Sequence, residues 1–327
     1  MKYWMTKLIF FAFIVLTLSC EENFDPYGDL ANRYVLNAII RGDTTFQTVT
    51  LTRSYSAGNF DPYSNTEDPA IKNAIIKLWN GDKVAILKDT TIDPPEGSQY
   101  NKPYTVFYTN NFQPDPNSQV EIEAILPNGK RLTSLADVPA QIRIYTSQSS
   151  DRIPPTDDNE IKIMWTSEQA NPVFIIRVAI YYFKLVDGVR QRNVLTIPVD
   201  YVKYGEEYIP NYPKPLSKDN YILNMSTVNQ AMELISKDDP NKSNYIILSC
   251  IAEVLSLNEE LSFYYNATAR DRDIYSVKLD ETDFSNIENG YGLFGVYMRT
   301  YHVMRFSHDY IRSFGYEPGL TDVTINN

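Results

Sequence analysis

The chain has 327 residues, enough for about two domains at roughly 150 residues each, and each would be large enough to bury its own core. Hydrophobic residues make up 43% and charged residues 22%, which excludes a disordered or fibrous chain. Lys plus Arg number 30 against 41 Asp plus Glu, a formal charge of −11 that excludes a phosphate backbone, and so nucleic acid, as the partner. Two cysteines exclude a disulfide-stapled scaffold.

The first elements in the chain concern its address. Lys2 and Lys7 precede the apolar stretch Leu8 to Leu18, interrupted only by Thr17, which runs into Leu16-Thr17-Leu18-Ser19-Cys20. This is the pattern of a signal peptide over residues 1–19, and the stretch is too short for the roughly 20 residues that span a bilayer. The Ser-Cys ending resembles a bacterial lipobox in the looser form seen in Bacteroidota, in which the cysteine sulfur accepts a diacylglyceryl group and becomes the new N-terminus. Cysteine suits that chemistry because its thiolate is a strong nucleophile. Two or more acyl chains hold a protein stably, so lipidated Cys20 would suffice as the membrane contact. Losing Lys2 and Lys7 and no acid takes the charge from −11 to −13. Glu21, Glu22 and Asp25 follow directly and resemble the signal that exports Bacteroidota lipoproteins to the outer face of the outer membrane.

Residues 20–32 read as an acylated cysteine and a turn-prone tether with Pro26 and Gly28. From Arg33 the apolar residues recur with period two, the mark of strands with one wet face: Leu36, Ala38 and Ile40, then Val49 and Leu51 between Thr48, Thr50 and Thr52, then Val120, Ile122 and Ala124. Strands are predicted at 33–41, 46–53, 71–79, 83–88, 104–109, 119–126 and 130–135. Asn80-Gly81, Asn128-Gly129 and Asp187-Gly188 are predicted hairpin turns of type I′. The proline-rich stretch Asp137 to Pro155 marks a boundary near 145, with an N-terminal β-sandwich at 33–145 and a C-terminal β-sandwich with helical insertions at 146–327. Both are expected to be antiparallel and immunoglobulin-like or fibronectin-like. In the second, Val173 to Val186 and Val189 to Val202 form a long predicted hairpin. Thr227 and Gln230 form a capping-box pair for a helix at 227–237, and Asn258 is a candidate cap for another carrying Leu261, Tyr264 and Tyr265.

Several motifs invite chemistry. Gly290-Tyr291-Gly292-Leu293-Phe294-Gly295 spells the dinucleotide fingerprint, but the alternation after it predicts a strand, so no helix N-terminus would meet a pyrophosphate. The glycines are expected to permit a bend or bulge. His302 and His308, six residues apart on a strand, would lie about 20 Å apart, too far for one metal; His302 is expected to be a satisfied structural histidine. His308-Asp309 lacks a nucleophile elbow. Asp61, Asn65, Glu67 and Asp68, and Asp157, Asp158 and Glu160, offer oxygens but not the spacing of a calcium loop. Asp271 and Asp273 are the best carboxylates for a hydrolase but lack a demonstrated cleft. Tyr55, Phe60, Tyr63, Tyr204, Tyr208 and Tyr212 lie in loop-like stretches suited to gripping a sugar or a protein, and Cys250 reads as a buried free thiol. The sequons at Asn224, Asn241 and Asn266 are chance matches in a bacterial lipoprotein. No catalytic residue, cofactor or metal is expected.

Taken with the lipobox, four stretches carry a family likeness: Arg33-Tyr34-Val35-Leu36, Leu51-Thr52-Arg53-Ser54-Tyr55, Leu126-Pro127-Asn128-Gly129-Lys130 and the continuous run Ser285 to Gly295. From Cys20 to about residue 300 the chain resembles the Bacteroidota lipoproteins grouped as domain-of-unknown-function family 4249. The resemblance implies an outer-membrane lipoprotein accessory to TonB-dependent transport and supplies no catalytic residues. The expected function is a non-enzymatic surface binding protein for an outer-membrane transporter or its ligand. The alternatives are a cell-surface carbohydrate-active hydrolase and a structural or adhesive envelope protein.

Overall fold

The computed structural model describes residues 33–54, 68–94, 102–147, 151–156, 159–167, 172–204, 207–237, 239–268 and 284–319. Eight strands form first: β1 (Tyr34–Arg41), β2 (Gln47–Arg53), β3 (Ile75–Asn80), β4 (Lys83–Ile86), β5 (Lys88–Ile92), β6 (Tyr104–Thr109), β7 (Gln119–Ile125) and β8 (Arg131–Asp137). The period-two residues do what alternation requires. Leu36, Ile40 and Leu51 on one sheet and Ile76, Leu78, Ile122 and Leu132 on the sheet β4-β3-β7-β8 are all fully buried in one core. The strand predicted at 83–88 is two strands. Leu87, 6% exposed, plugs the core where the chain leaves β3 (Leu87 N–H to Ile76 O, 2.9 Å) and crosses to pair with β6 in the other sheet.

The remaining strands are β9 (Ile144–Thr146), β10 (Arg152–Ile153), β11 (Glu160–Trp165), β12 (Val173–Val186), β13 (Val189–Ile197), β14 (Asp200–Tyr204), β15 (Glu207–Asn211), β16 (Asn220–Asn224), β17 (Tyr245–Leu257), β18 (Phe294–Phe306) and β19 (Glu317–Pro318). Three helices join them: α1 (Met225–Ser236), α2 (Glu259–Thr268) and α3 (His308–Ser313). The sheet β16-β11-β9 and the apolar stripe of α1 (Met225, Val228, Met232 and Ile235) close a second core over Phe174, Ile176, Cys250 and Val254. The predicted strand to 202 stops at Ile197, because Pro198 has no N–H to donate, and the chain turns into the separate hairpin β14–β15.

The fold is mainly β and its sheets are largely antiparallel; besides the two-residue strands β10 and β19, which pair in parallel with β18 and β17, one longer parallel pairing organises the described chain. A single sheet runs β13-β12-β17-β18-β1-β2-β6-β5, and its central seam, β1 against β18, is parallel. At about 3.3 Å per residue, the 13 residues of β18 reach roughly 43 Å and serve both cores. Phe294, Val296 and Met298 pack in the first, and Met304 and Phe306 in the second. The cores separate near residue 140, but the segment 287–298 from the far end of the chain completes the N-terminal one.

Local signals played out individually. Asp187 and Gly188 both hold positive φ (51° and 78°) between the paired Val186 and Val189, as type I′ demands. At Asn80-Gly81 the turn is shifted by one. Asn80 pairs with Lys83, and the loop is Gly81-Asp82. Asn80, 4% exposed, donates to Ser118 Oγ (2.6 Å) and Gln119 O (2.9 Å) and accepts from Asp115 N–H (2.9 Å). At Asn128-Gly129 only Gly129 has positive φ, and its N–H reaches Leu126 O at 2.9 Å, a three-residue loop with Pro127 leading rather than a type I′ turn. Helix α1 begins two residues before the predicted start. Thr227 lies inside it and donates to Val199 O (3.2 Å), so it is no cap. Asn258 does cap α2, accepting from Leu261 N–H at 3.2 Å.

Candidate functional site

The lipidation residue Cys20 and the acidic residues Glu21, Glu22 and Asp25 lie outside the described residues, as do Tyr55, Phe60, Asp61, Tyr63, Asn65, Glu67, Asp157, Asp158, Asp271 and Asp273. The side chains of Tyr204 and Tyr208 are likewise outside them, and Tyr212 is 51% exposed. Asp68 is a structural group: its carboxylate accepts from Ala70 N–H (3.0 Å) and from Thr105 N–H (3.1 Å) and Oγ1 (2.7 Å), joining a loop to β6. Gly292 of the glycine run has φ +119° and lies against the Leu36 carbonyl. Around it, Leu36 N–H and Ala38 N–H donate to Tyr291 O and Leu293 O, each at 2.8 Å. The run is the entry of β18 into the sheet, with a strand and not a helix beyond it.

His302 Nε2 lies 2.9 Å from Asp151 Oδ1, which also accepts from Thr146 Oγ1 at 2.7 Å. Burial pushes the Asp151 carboxyl up, but its hydrogen bonds to Thr146 and His302 hold it below the usual range on balance. The pair faces the core side of β18, on the parity of Thr300 and Met304. Cys250 is fully buried and burial pushes its thiol pKa well up, which removes thiolate chemistry there. Among the described residues no group of three or more His, Cys, Asp or Glu side chains could hold a metal ion. No described helix is long and apolar enough to cross a membrane.

What the fold does assemble is a charged and aromatic face on the large sheet, on the side away from these two cores and next to a third, smaller cluster in which Leu261 of α2 packs with Leu257 and Leu293. Cross-strand pairing puts Arg177 opposite Glu253 and Glu253 opposite Tyr301, with Ala179, Ile251 and Val303 in the next row. Residues directly opposite in antiparallel strands share a face. Arg177 Nη2 bonds Glu253 Oε2 at 2.6 Å, Arg299 Nη1 reaches Glu253 Oε1 at 3.3 Å, Arg299 Nε bonds Asp43 Oδ2 at 2.7 Å, and Arg41 Nη2 bonds the same oxygen at 2.9 Å. The chain of ion pairs thus crosses β12, β17, β18 and β1. Although burial pushes the Asp43 carboxyl up, the hydrogen bond from Arg41 and the charges of Arg299 and Arg41 hold it below 3.8. Toward the sheet's free edge, Arg192 stacks on Tyr181 (5.4 Å to the ring centroid) and Arg190 on Phe183 (5.9 Å), beside the exposed Val194 and Tyr301. Five arginines therefore share this face with two carboxylates, on a chain whose net charge is −11.

Sequence reasoning missed this face because its members come from positions 41 to 301. The local signal was Arg177, Ala179 and Tyr181 alternating on one strand and Arg299 and Tyr301 on another, and nothing local says that the two strands share a sheet.

These features define a mainly β scaffold with a few short helices, in which one sheet serves two large cores and carries an arginine and tyrosine surface. Residues 21–301 match the family described as Domain of unknown function (DUF4249), and the chain belongs to that family. Among curated proteins none matches the chain.

Proposed function

We propose that the chain is a lipid-anchored, surface-exposed outer-membrane protein that binds without catalysing, as an accessory to a TonB-dependent transporter or to that transporter's ligand. The Leu16-Thr17-Leu18-Ser19-Cys20 run supports anchoring at Cys20, and the acidic Glu21, Glu22 and Asp25 support display on the outer face. The observation that carries the binding half is the arginine and tyrosine face. Tyr and Arg are the residues that dominate the centres of protein interfaces. Tyr181, Tyr301, Arg177 and Arg192 stand together on one face of the sheet, where the excess of arginine is opposite in sign to the net charge of the molecule. A partner presenting acidic loops fits it, and the excess of acid elsewhere turns this face toward such a partner.

Mild detergent extraction followed by affinity purification of the full chain tests this. A β-barrel protein is expected to co-purify with the wild type and to be lost from an Arg177→Glu, Arg192→Glu variant that remains in the membrane fraction. Recovery of the lipoprotein alone at native expression, or undiminished recovery of the partner with the variant, overturns the proposal.

A further inference from the structure

The outer surface of the β4-β3-β7-β8 sheet, a different face of the molecule, holds a second feature. Pairing sets Trp79 between Val84 and Glu121, and Glu121 opposite Leu135. An open depression of about 670 Å3 lies here, lined in part by Trp79, Gln119, Glu121, Glu123, Arg131 and Leu135, within the range of small-molecule sites. Lys77 Nζ sits 5.6 Å from the Trp79 ring centroid without lining the depression, so it backs the indole from outside. Glu123 is only 4% exposed and is ion-paired to Arg131 and, at 3.7 Å, to Lys77. A carboxylate buried on the outer face of a sheet is costly unless so paired. The pairing also anchors the Arg131 guanidinium at the rim, where it has more N–H donors than Glu123 consumes.

The lining therefore combines an indole and an aliphatic side chain, half of whose surface is open to water (Leu135, 49%), with acceptors and donors around them. The charges balance only with Lys77 just outside the lining counted: Glu121 and Glu123 stand against Arg131 and the flanking Lys77. A neutral ring with one apolar C–H face and a rim of hydroxyls satisfies both parts, the C–H face against the indole and the hydroxyls to Glu121, Gln119 and Arg131. A purely apolar segment would instead cover those polar groups and leave them without partners, which costs more than it gains. The depression is open rather than enclosed, which suits a stretch of polymer rather than a single buried ring. We infer that this depression binds the neutral pyranose rings of a glycan. The inference deepens the ligand half of the proposed function and does not depend on a protein partner.

The test uses the full chain in a detergent without a sugar headgroup, titrated with maltohexaose, xylohexaose, laminarihexaose and mannohexaose by isothermal titration calorimetry for the wild type and every variant, with tryptophan emission followed in parallel where Trp79 is present. Of the three tryptophans, Trp165 is 1% exposed and Trp4 lies in the segment expected to be cleaved before Cys20, so changes in emission of the processed chain on binding report Trp79. At least one of the four is expected to titrate to saturation. Trp79→Ala should weaken it by about tenfold or more, the factor set by one lost anchor contact, and Glu121→Gln by a smaller factor, with far-UV circular dichroism unchanged. Should Trp79→Ala fail to fold, Glu121→Gln, a change at an exposed position, still decides, with Leu135→Arg as a blocking control. No saturable response to any of the four up to about 10 mM, ten times the weak end of ordinary affinities, overturns the inference. So does a response that all three variants leave unchanged. Saturable binding together with failure to recover a barrel partner would sink only the transporter half of the proposed function, and the reverse outcome would sink only the glycan site.

Discussion

Gly292→Ala is the substitution that most directly loads the seam joining the two cores. Gly292 sits at φ +119°, a region that L side chains rarely adopt, and an added Cβ would be driven into the Leu36 carbonyl and to 2.8 Å from Asn37 Oδ1. Leu36 is fully buried in the middle of β1, so the obstacle is backbone that cannot swing aside. Strained backbone of this kind costs about 1–3 kcal/mol. The 2.8 Å bonds from Leu36 N–H to Tyr291 O and from Ala38 N–H to Leu293 O flank the site, and losing them adds about 1 kcal/mol each. The expected loss is about 3–5 kcal/mol, a large share of the 5–15 kcal/mol that keeps a typical domain folded. Gly42→Ala is the comparator. Gly42 has no positive φ, and its Cβ would meet the far end of the flexible Met298 side chain (Cε at 2.6 Å, Sδ at 2.7 Å), so its loss should be clearly smaller. Guanidinium chloride unfolding followed by far-UV circular dichroism measures both. A loss under about 1 kcal/mol for Gly292→Ala, or equal losses for the two, would refute the view that β18 is locked to β1 by backbone contact at this glycine.

Two further outcomes follow from the charge network and the buried thiol. Asp43 has a folded pKa below its ordinary 3.8, so its carboxylate contributes stability above about pH 4 and loses it as pH falls through the folded value. Asp43→Asn should cost about 1–2 kcal/mol at pH 7, discounted for the solvent that reaches the pair. It should also flatten the acid limb of a stability-against-pH curve, and an unchanged limb would show that Asp43 carries no such load. Cys250, fully buried with its thiol pKa pushed up, should resist iodoacetamide at pH 8 in the folded protein and react in denaturant. Ready alkylation of the native protein would contradict its place in the second core.

Legibility followed the range over which each signal acts. Strand alternation is carried by every second residue, so β1, β2, β7 and β8 were readable within about two residues. Asp187-Gly188 was readable because both turn residues carry the required chemistry themselves. Asn80 misled for a physical reason: a side chain that accepts positive φ is also a good buried bracket, and three hydrogen bonds to 115, 118 and 119 drew it out of the turn. Thr227 misled similarly, since its hydroxyl found Val199 O rather than a helix end. The parallel pairing of Ala38 with Phe294 joins residues 256 apart, and no periodicity along the chain encodes it. The arginine face and the Trp79 depression depend on that same kind of pairing across strands, so their members were visible only as scattered residues.

The intact mass of the protein extracted from its native membranes tests the account at its root. The account predicts a chain that starts at Cys20 and carries the added mass of a diacylglyceryl group on that residue. A chain of unmodified mass, or one that begins at any other residue, would contradict it.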